Sequence, residues 1–166
     1  FDSQIKNRFI SLLSPLNYRT ANLSDMMTVY NWSNEKLTRA NSYFTDAIPL
    51  ETHKKWFENK IKDNNALIYI AEIDSKPIGM VRYDISEKNT VVGVIVDEHY
   101  RGKGLAASLL SDTASLYFKT NSVPVYAYIK LENLSSKHSF EKANYKFVKQ
   151  ELIHNTMSYV YKLDKL

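Results

Sequence analysis

Arg101-Gly102-Lys103-Gly104 joins two segments of opposite pattern, and its residue types suit the binding of a phosphate. Ahead of it, Val91 to Val96 is β-branched apart from Gly93, as a buried strand requires; behind it, Leu105, Leu109 and Leu116, with Ala106, Leu110 and Tyr117 alongside, have helical spacing. A strand that feeds a helix through a glycine-rich turn leaves the helix's first N–H groups without intrahelical partners, and the dipole adds partial positive charge there. Glycines let the backbone approach an anion closely, while Arg101 and Lys103 bring full positive charges. The tetrapeptide alone is equally compatible with a plain strand-to-helix turn whose charges are solvated. A P-loop is excluded, because Gly104 follows Gly102-Lys103 where Ser or Thr is needed. Gly102, Gly104 and Ala107 fit the dinucleotide spacing, but that turn usually follows the first strand of its domain, and a long stretch of helical and hairpin patterns precedes this one.

The elements that must position this turn are legible on either side. Tyr18 to Ala21 predicts a strand, and Asn22 or Ser24 caps a helix carrying Met26, Val29 and Tyr30, interrupted at Asn31 to Glu35. A short helix carries Leu37, Asn41 to Thr45 reads as loop, and after Pro49 an amphipathic helix presents Leu50, His53, Trp56, Phe57 and Ile61. Ala66–Ile73 and Ile78–Ile85 predict strands joined by a turn at Asp74 to Pro77, and Ser86 to Asn89 turns into the strand before Arg101. These form an antiparallel meander. Beyond the central helix, Pro124 to Ile129 is a strand that a crossover makes parallel to the central one. Asn133 to Lys142 is a helix, and a hairpin turns at His154-Asn155 between Phe147–Ile153 and Thr156–Leu163. Gly93 marks either a bulge or a simple packing position.

The chain has 166 residues, enough for one sizeable core, and 44% hydrophobic with 24% charged residues is ordinary for a globular domain. A net charge of +4 allows an anionic ligand, yet the positive residues are scattered, so nucleic acid is not expected as a partner. No cysteine is present, which removes disulfides, thiolate metal sites and a Cys nucleophile; the four histidines lack metal spacing, so no metal is expected. No apolar run is long enough for a membrane span, and the expected setting is cytoplasmic. Because the first residue is not Met, residues 1–15 are expected to be a linker or extension of something longer, with residues 16–166 as the domain proper.

Two motifs together resemble the GNAT superfamily of N-acetyltransferases. The first, [RQ]-x-x-G-x-[GA], is Arg101-Gly102-Lys103-Gly104-Leu105-Ala106; the second, N-x-x-S-x-x-x-[YF]-x-x-x-G-[FY], runs from Asn133 through Ser136 and Phe140 to Asn144-Tyr145. The resemblance implies an α/β (α+β) fold, with a mixed, mostly antiparallel sheet of about six to seven strands flanked by helices. Its central strand and the strand after the main helix splay apart. It also implies acetyl-CoA as cosubstrate: pyrophosphate on Arg101, Gly102, Lys103, Gly104, Leu105 and Ala106, the pantetheine arm along Val94, Ile95 and Val96, and further contacts from Asn133 and Ser136. Asn144 stands where the family has a left-handed Gly, a conformation that Asn tolerates well.

Two departures bear on catalysis. Phe140 replaces the Tyr that protonates the departing CoA thiolate in many members, leaving Tyr126, Tyr128 and Tyr145 as substitute acids; Val91 and Val92 stand where several members carry a basic Glu. On the acceptor side, Trp32, Asn34, His53, Trp56 and Arg82 resemble the branch that acetylates nucleotide-linked amino sugars, as in pseudaminic acid biosynthesis. His53 and the neighbouring aromatics also suit plain core packing. The expected partner is therefore a small-molecule amine, a sugar nucleotide in the leading reading, with a fused or partner enzyme of the same pathway allowed for. An N-terminal acetyltransferase of the ribosomal-protein type is the alternative enzyme; a CoA-binding module without turnover, for which Phe140 is the motive, is the alternative of another class.

Overall fold

The computed structural model of the protein describes residues 14–166, so most of the expected linker over residues 1–15 lies outside the described residues. Seven strands form one sheet in the order β1-β2-β3-β4-β5-β7-β6: β1 Asn17–Thr20, β2 Ala66–Ile73, β3 Lys76–Ile85, β4 Thr90–Val96, β5 Val125–Lys130, β6 Lys146–Ile153 and β7 Thr156–Leu163. Every neighbouring pair is antiparallel except β4 and β5, which the crossover through helix α4, Leu105–Thr120, makes parallel. The remaining helices are α1 Met26–Asn34, α2 Lys36–Asn41, α3 Leu50–Lys60 and α5 Leu134–Lys142.

Period-two alternation divides the strands between two cores. On one face Val81, Tyr83 and Val92 pack with Leu109, Leu110 and Tyr117 of α4 and Phe140 of α5. On the other, Ile68, Ile70 and Met80 pack with Val29, Trp32 and Phe57 of α1 and α3. One residue breaks parity: Ile78 joins the α4 face although Met80 does not, because the β2–β3 register shifts between Ala71 and Glu72.

Two expectations need correction. Helix α1 does not break at Asn31 but runs through Asn34, because Trp32 buries in the second core and its indole N–H donates to Asp97 Oδ2 at 2.9 Å. The break comes at Glu35, whose extended backbone and side chain begin α2 by accepting from Leu37 and Thr38. Gly93 is no bulge, since the β3–β4 register is continuous from Gly79 opposite Val96 to Ile85 opposite Thr90. It is no packing glycine either, because a Cβ there would meet nothing within 4 Å.

Candidate functional site

The parallel pair β4–β5 is joined over a single step, Thr90 with Val125 and Val91 with Tyr126, and then separates. Its closed end is fastened by Tyr117 of α4, whose hydroxyl meets Thr90 Oγ1 at 2.7 Å and donates to the Val123 carbonyl at 3.0 Å. From Val92 onward, β4 has no strand partner on the β5 side. Extended backbone without a partner strand offers N–H and C=O groups to a ligand that carries amides. The gap opens into a cleft of about 960 Å³ whose lining includes Val94, Ile95, Val96, Leu105, Asn133, Ser136 and Phe140 together with His53, Trp56, Met80, Arg82 and Tyr128.

Where the cleft meets the start of α4, Gly102 and Gly104 both have φ of 74°, the left-handed region in which a side chain is strained. Gly104 is the N-cap of α4 and no side chain caps the helix, so its first N–H groups remain available to an anion. Gly102, Gly104, Leu105 and Ala106 line the cleft; Lys103 is exposed, with its ammonium 5.3 Å from the centroid of the Tyr100 ring. Arg101 lines the cleft too, but its guanidinium is engaged: Nε donates to the Val96 carbonyl at 3.0 Å and a terminal nitrogen to Glu35 Oε2 at 2.7 Å. Arg101 therefore bolts the turn to the end of β4 and the start of α2. The Glu35 carboxyl, held first by Arg101 and then by the N–H groups of Leu37 and Thr38, is drawn down to about 2.

Helix α5 supplies the facing wall. Asn133 Oδ1 accepts from the Ser136 N–H at 3.2 Å. At the other end Tyr145 N–H donates to the Phe140 carbonyl and Asn144 N–H to the Glu141 carbonyl, with Asn144 left-handed at φ 67°. This is a Schellman ending, and its apolar contact is Phe140 against Tyr145, centroids 5.0 Å apart at 89°. Tyr145 is consequently a core residue. Its hydroxyl lies beside that of Tyr83 without a hydrogen bond of good geometry, burial pushes its ionisation far up, and it does not line the cleft. Tyr126 sits at the closed end of the fork and does not line the cleft either. Of the three substitute acids only Tyr128 does, and burial raises its ionisation so that it keeps its proton at neutral pH.

The acceptor residues divide. Trp32 and Asn34 do not line the cleft: Trp32 is bound to Asp97, and Asn34 exchanges two hydrogen bonds with the Ile48 backbone, 3.1 Å and 2.7 Å, fixing the loop before α3. His53, Trp56 and Arg82 are brought together. The Arg82 guanidinium carbon lies 5.3 Å over the Trp56 ring, and its Nε is 2.9 Å from Asp84 Oδ2, while Lys60 donates to Asp84 Oδ1 at 2.7 Å. His53 is buried against Tyr30, Trp56 and Phe57.

Sequence reasoning missed a third wall. Tyr43, Phe44 and His154 line the cleft: the Tyr43 hydroxyl donates to the buried Ser158 Oγ at 2.7 Å, and the rings of Tyr43 and Phe44 meet His154 at 5.6 Å and 5.0 Å. Two adjacent aromatics in an otherwise polar loop were the available signal. Among the described residues no Asp or Glu lines the cleft, and no group of three His, Asp or Glu could hold a metal ion. No helix there is long and apolar enough to cross a membrane.

Residues 26–145 match the model of the acetyltransferase (GNAT) family. No curated protein matches the chain significantly. Solved structures with similar folds include the aminoglycoside acetyltransferase AAC(6')-Ib in complex with coenzyme A and kanamycin, with TM-score 0.78, 15% identity, and coverage of 91% of this chain and 95% of that one. Another is spermidine N-acetyltransferase from Vibrio cholerae in complex with CoA and spermine, with TM-score 0.77, 17% identity, and coverage of 89% and 92%. At such identities the likeness shows the fold alone. The family model spans more than half of the chain and includes the glycine turn, the open β4 edge and α5: the protein belongs to the GNAT family and is an acetyl-CoA-dependent N-acetyltransferase acting on amines.

Proposed function

We propose that the acceptor is a nucleotide-linked amino sugar, acetylated on its primary amine. The observation that carries this reading is the composition of the acceptor wall: Arg82 over Trp56, beside His53, with no carboxylate lining the cleft among the described residues. A polycationic acceptor would be held by carboxylates, whereas a sugar diphosphate calls for an aromatic face and a cation. Lys60, Asp84 and Arg82 together carry one net positive charge, which suits a diphosphate. Acetyl-CoA lies with its pyrophosphate at the turn, Gly102 to Ala106, its arm on the open edge of β4, and its thioester near the fork. Holding amine and thioester in register is worth roughly 7–11 kcal/mol, so proximity can supply most of the rate. Tyr128 is the proposed donor to the departing thiolate, and the reaction belongs in the cytoplasm, where its cosubstrate is made.

A thiol-release assay tests the assignment, comparing amino sugars with and without the nucleotide, a polyamine, an aminoglycoside and peptides with free N-termini. The nucleotide-linked sugar should give the highest kcat/KM. Faster turnover of the polyamine, aminoglycoside or peptide, or equal use of the free sugar, defeats it.

A further inference from the structure

An acceptor amine arrives largely as an ammonium ion and must shed a proton before its lone pair can attack a thioester. In many acyl transfers a carboxylate takes that proton, but here no carboxylate lines the cleft among the described residues, and Val91 and Val92 of β4 offer none. The remaining candidates are few. Tyr43 and Tyr128 hold their protons more tightly than usual because they are buried, so neither is a base at neutral pH. His138 is exposed on α5 beside Glu141, and His154 packs at a hairpin tip against Tyr43 and Phe44.

His53 differs from both. It lines the acceptor side of the cleft and is only 2% exposed, and its Nε2 is buried without a hydrogen-bond partner. Tyr30 meets the ring edge-on at 5.3 Å, Trp56 is tilted at 5.3 Å and Phe57 stacked at 6.0 Å, so the ring is oriented by three aromatic neighbours. A buried polar atom left without a partner costs stability, and this one belongs to a residue that lines the cleft. Arg82 lies over the Trp56 ring, and α1 brings Tyr30 edge-on and a hydrogen bond between the imidazole and the Met26 backbone. Burial lowers the basicity of the ring and the Met26 backbone partly restores it, so the imidazole is neutral at physiological pH.

We propose that His53 is the proton acceptor of the transfer. The ammonium N–H bond breaks and its proton passes to the imidazole; the freed lone pair forms the N–C bond to the thioester carbonyl. The C–S bond then breaks as the nitrogen sheds its second proton, which passes through water or the Tyr128 hydroxyl to the departing thiolate, leaving amide, thiol and imidazolium. The proposal rests on amine acetylation, but not on which amine is used.

The test is the pH dependence of kcat/KM, recorded with whichever acceptor of the panel turns over fastest, so the sugar-nucleotide assignment can fail independently. With an internal base, the wild-type profile is level between the His53 ionisation and that of the amine. In His53→Gln only the free amine reacts, so the profile should climb about tenfold per pH unit up to the amine's own pKa. The deficit should be on the order of 10²–10⁴-fold near pH 6.5 and shrink as the pH rises. Melting curves with and without acetyl-CoA establish that the variant is folded and binds its cosubstrate. A uniform loss at every pH overturns the proposal. So does a wild-type profile that already climbs to the amine pKa, a readout that needs no variant.

Discussion

Arg82 on β3 stands directly across from Gly93 on β4, so its guanidinium borders a strand position with no side chain. Both line the cleft, and a Cβ at Gly93 would meet nothing within 4 Å. The gap next to Arg82 is therefore open space on the side of the cleft proposed for the acceptor. Gly93→Val should leave the melting temperature within a degree or two, because a β-branched residue suits a strand and strikes no neighbour. It should raise the acceptor KM about tenfold or more by filling the gap, while the thermal shift from acetyl-CoA persists. A lost shift would place Gly93 in the cosubstrate's path instead.

Arg82→Ala removes the cation from the acceptor wall. Loss of charged hydrogen bonding predicts a kcat/KM penalty of roughly 1.5–3 kcal/mol, carried by the acceptor KM. Affinity for acetyl-CoA should stay put, since the proposed pyrophosphate site is the turn at Gly102 to Ala106, to which Arg82 does not belong. Isothermal titration with acetyl-CoA beside steady-state kinetics checks both halves.

Gly104 is constrained by its backbone, not by crowding. Its φ is 74° and a Cβ there meets nothing within 4 Å, so Gly104→Val fails by forcing the turn out of the left-handed region. Acetyl-CoA should then no longer raise the melting temperature. Gly104→Asn, which tolerates this conformation, should keep much of the shift. Equal shifts for wild type and Gly104→Val would remove the turn from the binding site.

The meander, the crossover and the terminal hairpin were legible because each rests on local signals: the Ile, Leu and Tyr of Ala66–Ile73, the turn residues at Asp74-Ser75 and His154-Asn155, and the Asn133 cap, though β3 begins at Lys76, inside the expected turn. Side-chain roles were not legible, because they depend on pairings far apart in the sequence. Trp32 is claimed by Asp97 and Arg101 by Glu35, contacts that no motif reports. Asn34 is fixed on Ile48 by the loop between them. The clasp of Tyr43 and Phe44 on His154 likewise joins two loops that only the folded sheet brings together.

The Arg101–Glu35 pair gives a pH-dependent prediction. Glu35 is depressed to about 2 from an ordinary 4.5, so the stability it contributes is complete above the ordinary value and drains away as the pH falls toward the depressed one. Melting temperature should therefore drop between about pH 5 and about pH 2, and Glu35→Gln should flatten part of that drop. A double-mutant cycle with Arg101→Ala should return a coupling of about 0.5–3 kcal/mol in the absence of ligand. No coupling would mean that Arg101 acts on the ligand and not on the fold.

Phe140 stands where a proton donor is expected, and its ring is committed to the helix ending through Tyr145. Phe140→Ala should cost about 3–5 kcal/mol by emptying that contact and part of the core. Phe140→Tyr keeps the ring and adds a hydroxyl at the cleft wall. If proximity carries the rate and the thiolate leaves readily near neutral pH, kcat should change by less than about tenfold. Steady-state kinetics at saturating acetyl-CoA, with a melting curve to show that the hydroxyl has not disturbed the packing, decides the matter. A gain of about 10²-fold or more would mean that the transfer is limited by thiolate protonation, and that Tyr128 does not supply the proton.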